Sequence, residues 1–158
     1  ISKKHLSFHT KNFVVHPSKL PEGRGSAAVI WSVLKGDKKI YISIFEPTDT
    51  IDAGPIYLQD FFNVKITDLS NDIRVKQVRK TFSMIEKLLK NFKKLKPKNQ
   101  KSIKTNKLLP KRFPKDSEIN FNQSIRKQFN KIRISDNERY PAYFYYMGKK
   151  FILKIYHG

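Results

Sequence analysis

Cysteine is absent from the 158 residues, which excludes a disulfide framework, a thiolate nucleophile and a Cys-based metal site. No stretch approaches the roughly 18 successive apolar residues of a transmembrane helix, and no signal-peptide pattern is visible. Together these point to a reducing, cytoplasmic setting without a membrane partner. Acid is scarce: 13 Asp and Glu stand against 33 Lys and Arg, a net charge of +20. Such an excess suits a polyanion partner. Here, however, the basic residues are spread along a chain rich in Lys, Ile and Asn, so nucleic-acid binding is not expected as the main role. What is present argues for a folded core: 39% hydrophobic residues, with 12 Phe and 7 Tyr. The length suits one domain, and no internal repeat is evident.

The chain is organised around NFVVHPSKLPEGRG, residues 12–25. Phe13, Val14 and Val15 read as a short buried strand that stops at His16-Pro17, so a histidine is held on a stiff frame where the strand ends. Pro17 to Gly25 has too many breakers for regular structure. Ser26 to Lys35 reads as a helix stopped by Gly36, with Trp31 in the core. Residues 39–46 and 55–64 read as strands around the loop 47–54, which carries Asp52 and Gly54. From about 71 to 95, Val75, Val78, Phe82, Ile85, Leu89 and Phe92 recur at helical spacing and predict one apolar face. Eleven basic and no acidic residues lie between Lys87 and Arg112, a solvated helix end followed by a mobile linker. Beyond it, a helix near 122–131 with Ile125, Phe129 and Ile132 on one face precedes a hairpin turning at Met147-Gly148.

His16 can titrate near neutral pH and Asp52 can tune it, a minimal acid/base pair. The alternative for Asp52, a carboxylate capping its own turn, is the less favoured reading. His5, His9 and His157 have no metal-like spacing with a carboxylate or with one another, so no metal is expected.

The set HPSxLPxxRG, a small-residue helix with Trp31 and Gly36, and IDxGxI resembles the 10-formyltetrahydrofolate-dependent formyltransferases in order and spacing. The likeness covers about 12–64, resumes at Arg112 to Ile119 and again at Arg133 to Ile155, and in VVHPSKLPEGRG and DNERYPAYF is greatest to sugar N-formyltransferases.

The resemblance implies an α/β fold: a formyltransferase-type, Rossmann-like parallel sheet with its N-terminal strands missing, followed by a small mixed α+β C-terminal module. On that reading the chain is a C-terminal fragment, since strand-helix units precede the His-Pro-Ser strand in the family. Its divisions are 1–95 (the C-terminal part of the catalytic domain), 96–111 (a basic linker) and 112–158 (a helix-hairpin module). A truncated parallel sheet would expose an apolar edge, so the isolated piece is expected to associate.

It also implies the reaction, transfer of a formyl group from 10-formyltetrahydrofolate to an amine. The acceptor would be a nucleotide-linked amino-sugar, or alternatively methionyl-tRNA; a homodimer is possible. A third alternative is a non-catalytic basic binding module that keeps the fold. In the family a trio of Asn, His and Asp does the chemistry. His16 would move the proton and Asp52 would tune it. The family's Asn stands two residues before the histidine, where this chain has Val14. Asn12 lies four residues before instead, roughly 13 Å away along an extended strand. If the donor is lost, the rate falls ~10²-fold by analogy with removal of one oxyanion donor. Ser18, Leu20, Pro21 and Gly54 would meet the formyl donor, and Arg24 an acceptor phosphate. Asp116 and Ser117 read as caps, and Arg139 to Ala142 as the structural start of the hairpin.

Overall fold

The computed structural model describes residues 3–101 and 107–158. A single helical turn, α1 (Lys3–Leu6), leads into β1 (Val14–His16). Helix α2 (Ala28–Lys35) follows, stopped by Gly36 in the left-handed conformation that glycine adopts at low cost. Then come β2 (Lys39–Phe45), β3 (Ile56–Asn63) and the long helix α3 (Ser70–Asn91). A 3₁₀ turn at Pro114–Ser117, helix α4 (Ile125–Ile134) and strands β4 (Ala142–Tyr146) and β5 (Lys149–Leu153) complete the order.

The sheet of β1, β2 and β3 is antiparallel at both pairings, which corrects the parallel sheet expected above. For β2 and β3 the reason is local. Only ten residues join β2 to β3, enough for a hairpin loop and too few for a parallel crossover. The central strand β2 is buried almost throughout, and its two faces do different work. Ile40, Ile42 and Ile44 point to a core shared with Val33, Phe62, Ile73, Met84 and Leu88. Each such side chain contributes about 1.5–3 kcal/mol on leaving water. Tyr41, Ser43 and Phe45 point the other way, because successive side chains alternate.

Helix α3 buries only part of the stripe its sequence advertises: Ile85 and Phe92 pack against the core. Ile73, Met84 and Leu88 are buried, whereas Val75, Val78, Phe82 and Leu89 are exposed, Phe82 and Leu89 by 65% and 69%. The helix is apolar along two lines, and its polar anchors choose between them. Asp72 accepts from the Leu69 N–H at its start (2.9 Å), Lys76 pairs with Asp68, and Lys80 reaches Asp60 on β3 (2.9 Å). In α4, similarly, Ile125 is exposed and Ile132 and Ile134 are buried with Gln128 and Arg133. Trp31 is half-buried rather than core: its indole donates to the Pro110 carbonyl (3.1 Å) and Arg112 lies over its ring. The hairpin turn falls at Met147-Gly148 with φ of 48° and 73°, the type I′ signature. Among the described residues no helix is long and apolar enough to cross a membrane.

Candidate active site

Register places the histidine. His16 pairs with Ser43, and Ser43 with Gln59, so the three lie in one row across the sheet, on the face opposite the isoleucine core. Ser43 is wholly buried, and its hydroxyl donates to the Ser18 carbonyl (2.7 Å) and accepts from the Leu20 N–H (3.3 Å). Gln59 Nε2 donates to the Leu20 carbonyl (3.0 Å) and to Ser43 Oγ (2.9 Å). The His-Pro-Ser loop therefore sits on a polar platform that the strand alternation creates. Ser18 Oγ donates to the Glu22 carbonyl (2.8 Å), closing the loop on itself.

The imidazole of His16 is 8% exposed and held between two groups. Nε2 lies 2.9 Å from the Gly23 carbonyl, which can only accept, so this nitrogen carries the hydrogen. Nδ1 faces Asp52 Oδ2 at 3.6 Å. A proton arriving at Nδ1 thus meets a carboxylate, and a ring stripped of it keeps its orientation through Nε2. The same Asp52 oxygen accepts the Gly25 N–H at 2.9 Å, which ties the Asp52 loop to the end of the His-Pro-Ser loop.

Two glycines make these approaches possible. Gly25 has φ of 108°, and a Cβ there would stand 2.5 Å from the Leu109 carbonyl oxygen. Gly54 lies against Glu46, whose carbonyl oxygen would be 1.7 Å from an added Cβ. Glu46 is itself held, by Lys11 (3.3 Å) and by the Tyr57 hydroxyl (3.1 Å). Burial, with Glu46 beside it, raises the pKa of that hydroxyl.

Of the residues singled out from sequence, His16, Asp52 and Gly54 come together in one site. Ser18, Leu20 and Pro21 form the adjoining loop, with Leu20 and Pro21 lining a cavity of about 630 Å³ with Tyr57, Gln59 and Gln100. Asn12 is placed elsewhere: its amide donates to the Leu6 carbonyl at the end of α1 (2.8 Å). Val14 pairs with Phe45, two strand positions from the His16 row. Arg24 is half-buried and its carbonyl accepts the Leu109 N–H at 2.7 Å. Asp116 caps the 3₁₀ turn, accepting the Phe113 N–H at 2.7 Å, and Ser117 Oγ donates to the Tyr140 carbonyl (3.3 Å).

The chain's return after α3 was not visible as part of the site. Of the stretch 96–111, residues 102–106 lie outside the described residues, and both described ends are pinned. Lys98 exchanges two backbone hydrogen bonds with Ile56 (2.8 and 2.9 Å). Gln100 Nε2 donates to the carbonyls of Asp52 (2.9 Å) and Gly54 (2.8 Å). Leu109 receives the Ser26 N–H at 3.0 Å. The one hint was the Asn99-Gln100 pair interrupting a run of lysines, and pairing partners 46 and 48 residues away leave no local periodicity to read. Just past Gly25, Ser26 and Ala27 open onto a cavity of about 510 Å³ walled in part by Arg74, Lys111, Arg112 and Arg139.

A family model described as formyl transferase matches residues 1–88, over half of the chain. The chain belongs to the formyl transferase family. It is 31% identical over 138 residues to a methionyl-tRNA formyltransferase of Buchnera aphidicola, an alignment taking in 84% of this chain and 43% of that protein. Among solved structures, a methionyl-tRNA formyltransferase from Clostridium thermocellum superposes with a TM-score of 0.83 and 26% identity, over 98% of this chain and 66% of that one. A 4-N formyltransferase from Francisella tularensis shares the fold, with a TM-score of 0.77 and 20% identity over 96% of this chain and 64% of that one. The chain thus spans under half of the Buchnera relative and about two thirds of the Clostridium chain. As a formyl transferase segment it carries the formyltransferase-type fold, with the His-Pro-Ser loop and the Asp52 loop inside the matched region.

Proposed function

We propose that the protein carrying this chain transfers the formyl group of 10-formyltetrahydrofolate to a primary amine. The observation that carries the reading is the His16–Asp52 pair, seated on the Ser43 platform and fixed by the Gly25 N–H, in a chain of the formyl transferase family. The donor supplies the electrophilic formyl carbon and an arylamine leaving nitrogen. A new C–N bond forms to the acceptor, the old one breaks, and one proton passes from the acceptor amine to the released nitrogen.

This chain's residues do the following. His16 takes the acceptor's proton at Nδ1 beside the Asp52 carboxylate, which stabilises the imidazolium. The Nε2–H, now on the Gly23 carbonyl, holds the ring. Gly54 leaves room at a loop where any Cβ would collide. Leu20 and Pro21, with the 630 Å³ cavity beside them, give an apolar wall edged with the amides of Gln59, Asn99 and Gln100 and with four lysines, and this fits a flat heterocycle that carries donors and acceptors. With Asn12 committed to Leu6 and the His16 Nε2–H to Gly23, the oxyanion is met by backbone or water donors beside the imidazolium.

The acceptor we favour is a nucleotide-linked amino-sugar. The cavity next to Gly25 carries Lys111, Arg112 and Arg139 besides the Arg74–Asp136 pair, a cation excess that suits the phosphates of such a carrier. A second reading, methionyl-tRNA, is favoured by the 31%-identical relative and the charge of +20, and the same cations suit it. Arg24 and the cavity arginines would then meet acceptor phosphate in either case.

The test is formyl transfer by the protein bearing this chain, with its whole reading frame, against nucleotide-linked amino-sugars and methionyl-tRNA. We expect donor-dependent formylation of the sugars, lost by ~10²-fold or more in His16→Ala. Formylation of methionyl-tRNA alone selects the second reading. Polyanion binding that falls steeply with salt, without turnover on any acceptor, replaces both with a non-catalytic binding module.

A further inference from the structure

The Asp52 carboxylate is useful only where it is aimed, and its own backbone does not aim it. Asp52 has φ of 51°, a left-handed conformation that non-glycine residues visit seldom and that the surroundings must impose. Rotation toward the ordinary region swings the side chain. One end of the loop is jammed by Gly54 against Glu46. The other restraint comes from outside the loop: both amide hydrogens of Gln100 are spent on it, one on the Asp52 carbonyl and one on the Gly54 carbonyl. Two carbonyl acceptors leave no choice of amide orientation. Gln100 is in turn fixed by the Lys98–Ile56 backbone pair two residues earlier. Its Oε1 is buried with no donor among the described residues.

We propose that Gln100 is a positioning residue for Asp52, holding the loop backbone so that the carboxylate stays on the Gly25 N–H and beside His16 Nδ1. Its kinetic consequences rest on the formyl-transfer reading above; its structural consequence does not.

The test uses Gln100→Glu, which keeps the shape and exchanges the donor for an acceptor, and Gln100→Met, which removes the polarity and stands in should the first not fold. Amide exchange of Gly25 is followed in the whole protein, with Ile42 and Ile44 of β2 as internal references. We expect Gly25 to exchange about 10-fold faster while the β2 amides keep their rates. Unchanged Gly25 protection overturns the inference whatever the activity. In the transfer assay, kcat should fall by about 10-fold or more with both KM values within about twofold. The double variant with Asp52→Asn should be no slower than the slower single one, because both changes remove the same interaction. Additive losses, or a loss confined to KM, overturn it. If the parent protein transfers no formyl group at all, the functional reading fails and the Gly25 amide alone decides this one.

Discussion

Gly54→Ala is the sharpest perturbation the site offers. The added Cβ would stand 1.7 Å from the Glu46 carbonyl oxygen, and real Cβ contacts essentially never close below 3.0 Å, so one partner must move by more than 1.3 Å. Glu46 resists: its N–H is held by the Pro55 carbonyl at 3.0 Å and its carboxylate by Lys11 and Tyr57. The Asp52 loop therefore yields. Two of its contacts, the Gln100 bond to the Gly54 carbonyl (2.8 Å) and the Gly25 bond to Asp52 (2.9 Å), do not survive a shift of that size along their length. A misplacement of about 1 Å at a reacting centre can cost ~10²-fold in rate, or roughly 2.7 kcal/mol of transition-state stabilisation. Overpacking adds about 1–3 kcal/mol of lost stability. Steady-state formyl transfer and urea unfolding of the same preparation separate the two. Full kcat within threefold of the parent, at unchanged stability, would show that the loop geometry does not govern the chemistry.

Two further predictions concern the join between the two parts of the chain. Arg133 is 2% exposed and donates to Asn130 Oδ1 (2.8 Å) and to the carbonyls of Lys65 (3.1 Å) and Asp68 (2.9 Å). Arg133→Met, which leaves those carbonyls unpaired, should cost about 2–4 kcal/mol; a denaturant midpoint matching the parent's would refute this. The hydrogen bond from Arg74, with the Arg139 N–H, lowers the Asp136 pKa from 3.8 to about 2. A depressed carboxylate stabilises fully above its unfolded pKa near 4, and the contribution is lost as pH falls through about 2. The shift sets a ceiling of roughly 2.5 kcal/mol. With Arg74 57% exposed, screening reduces it to about 1 kcal/mol. Asp136→Asn should be less stable than the parent at pH 6 and indistinguishable below pH 2; a constant gap across that range would contradict the assignment.

Much of the site was legible in one dimension because its chemistry is local. His16 ends a strand at a proline, Asp52 stands two residues before a glycine that cannot carry a Cβ, and Gly36 stops a helix. These follow from backbone rules that act over a few residues. The helix stripes were misread in part, for the converse reason. Val75, Val78, Phe82 and Leu89 keep as good a period as the buried set, and periodicity says that a face is apolar without saying which neighbour covers it. Trp31 was placed in the core from its mid-helix position, whereas its indole N–H finds a partner 79 residues along.

By itself, then, the sequence determined the elements and their order, the pairing of a histidine with a carboxylate, and the family whose spacing both share. Only the tertiary structure decided that β1, β2 and β3 run antiparallel, that His16 stands on the Ser43 and Gln59 row, and that Asn12 serves the end of α1. It alone brought Gln100 and Leu109 back onto the His16 and Asp52 loops. The physical reason is the same each time. A residue's conformation is set by its neighbours in the chain, but a hydrogen bond between positions 48 apart exists only once strand register and helix packing have closed the distance.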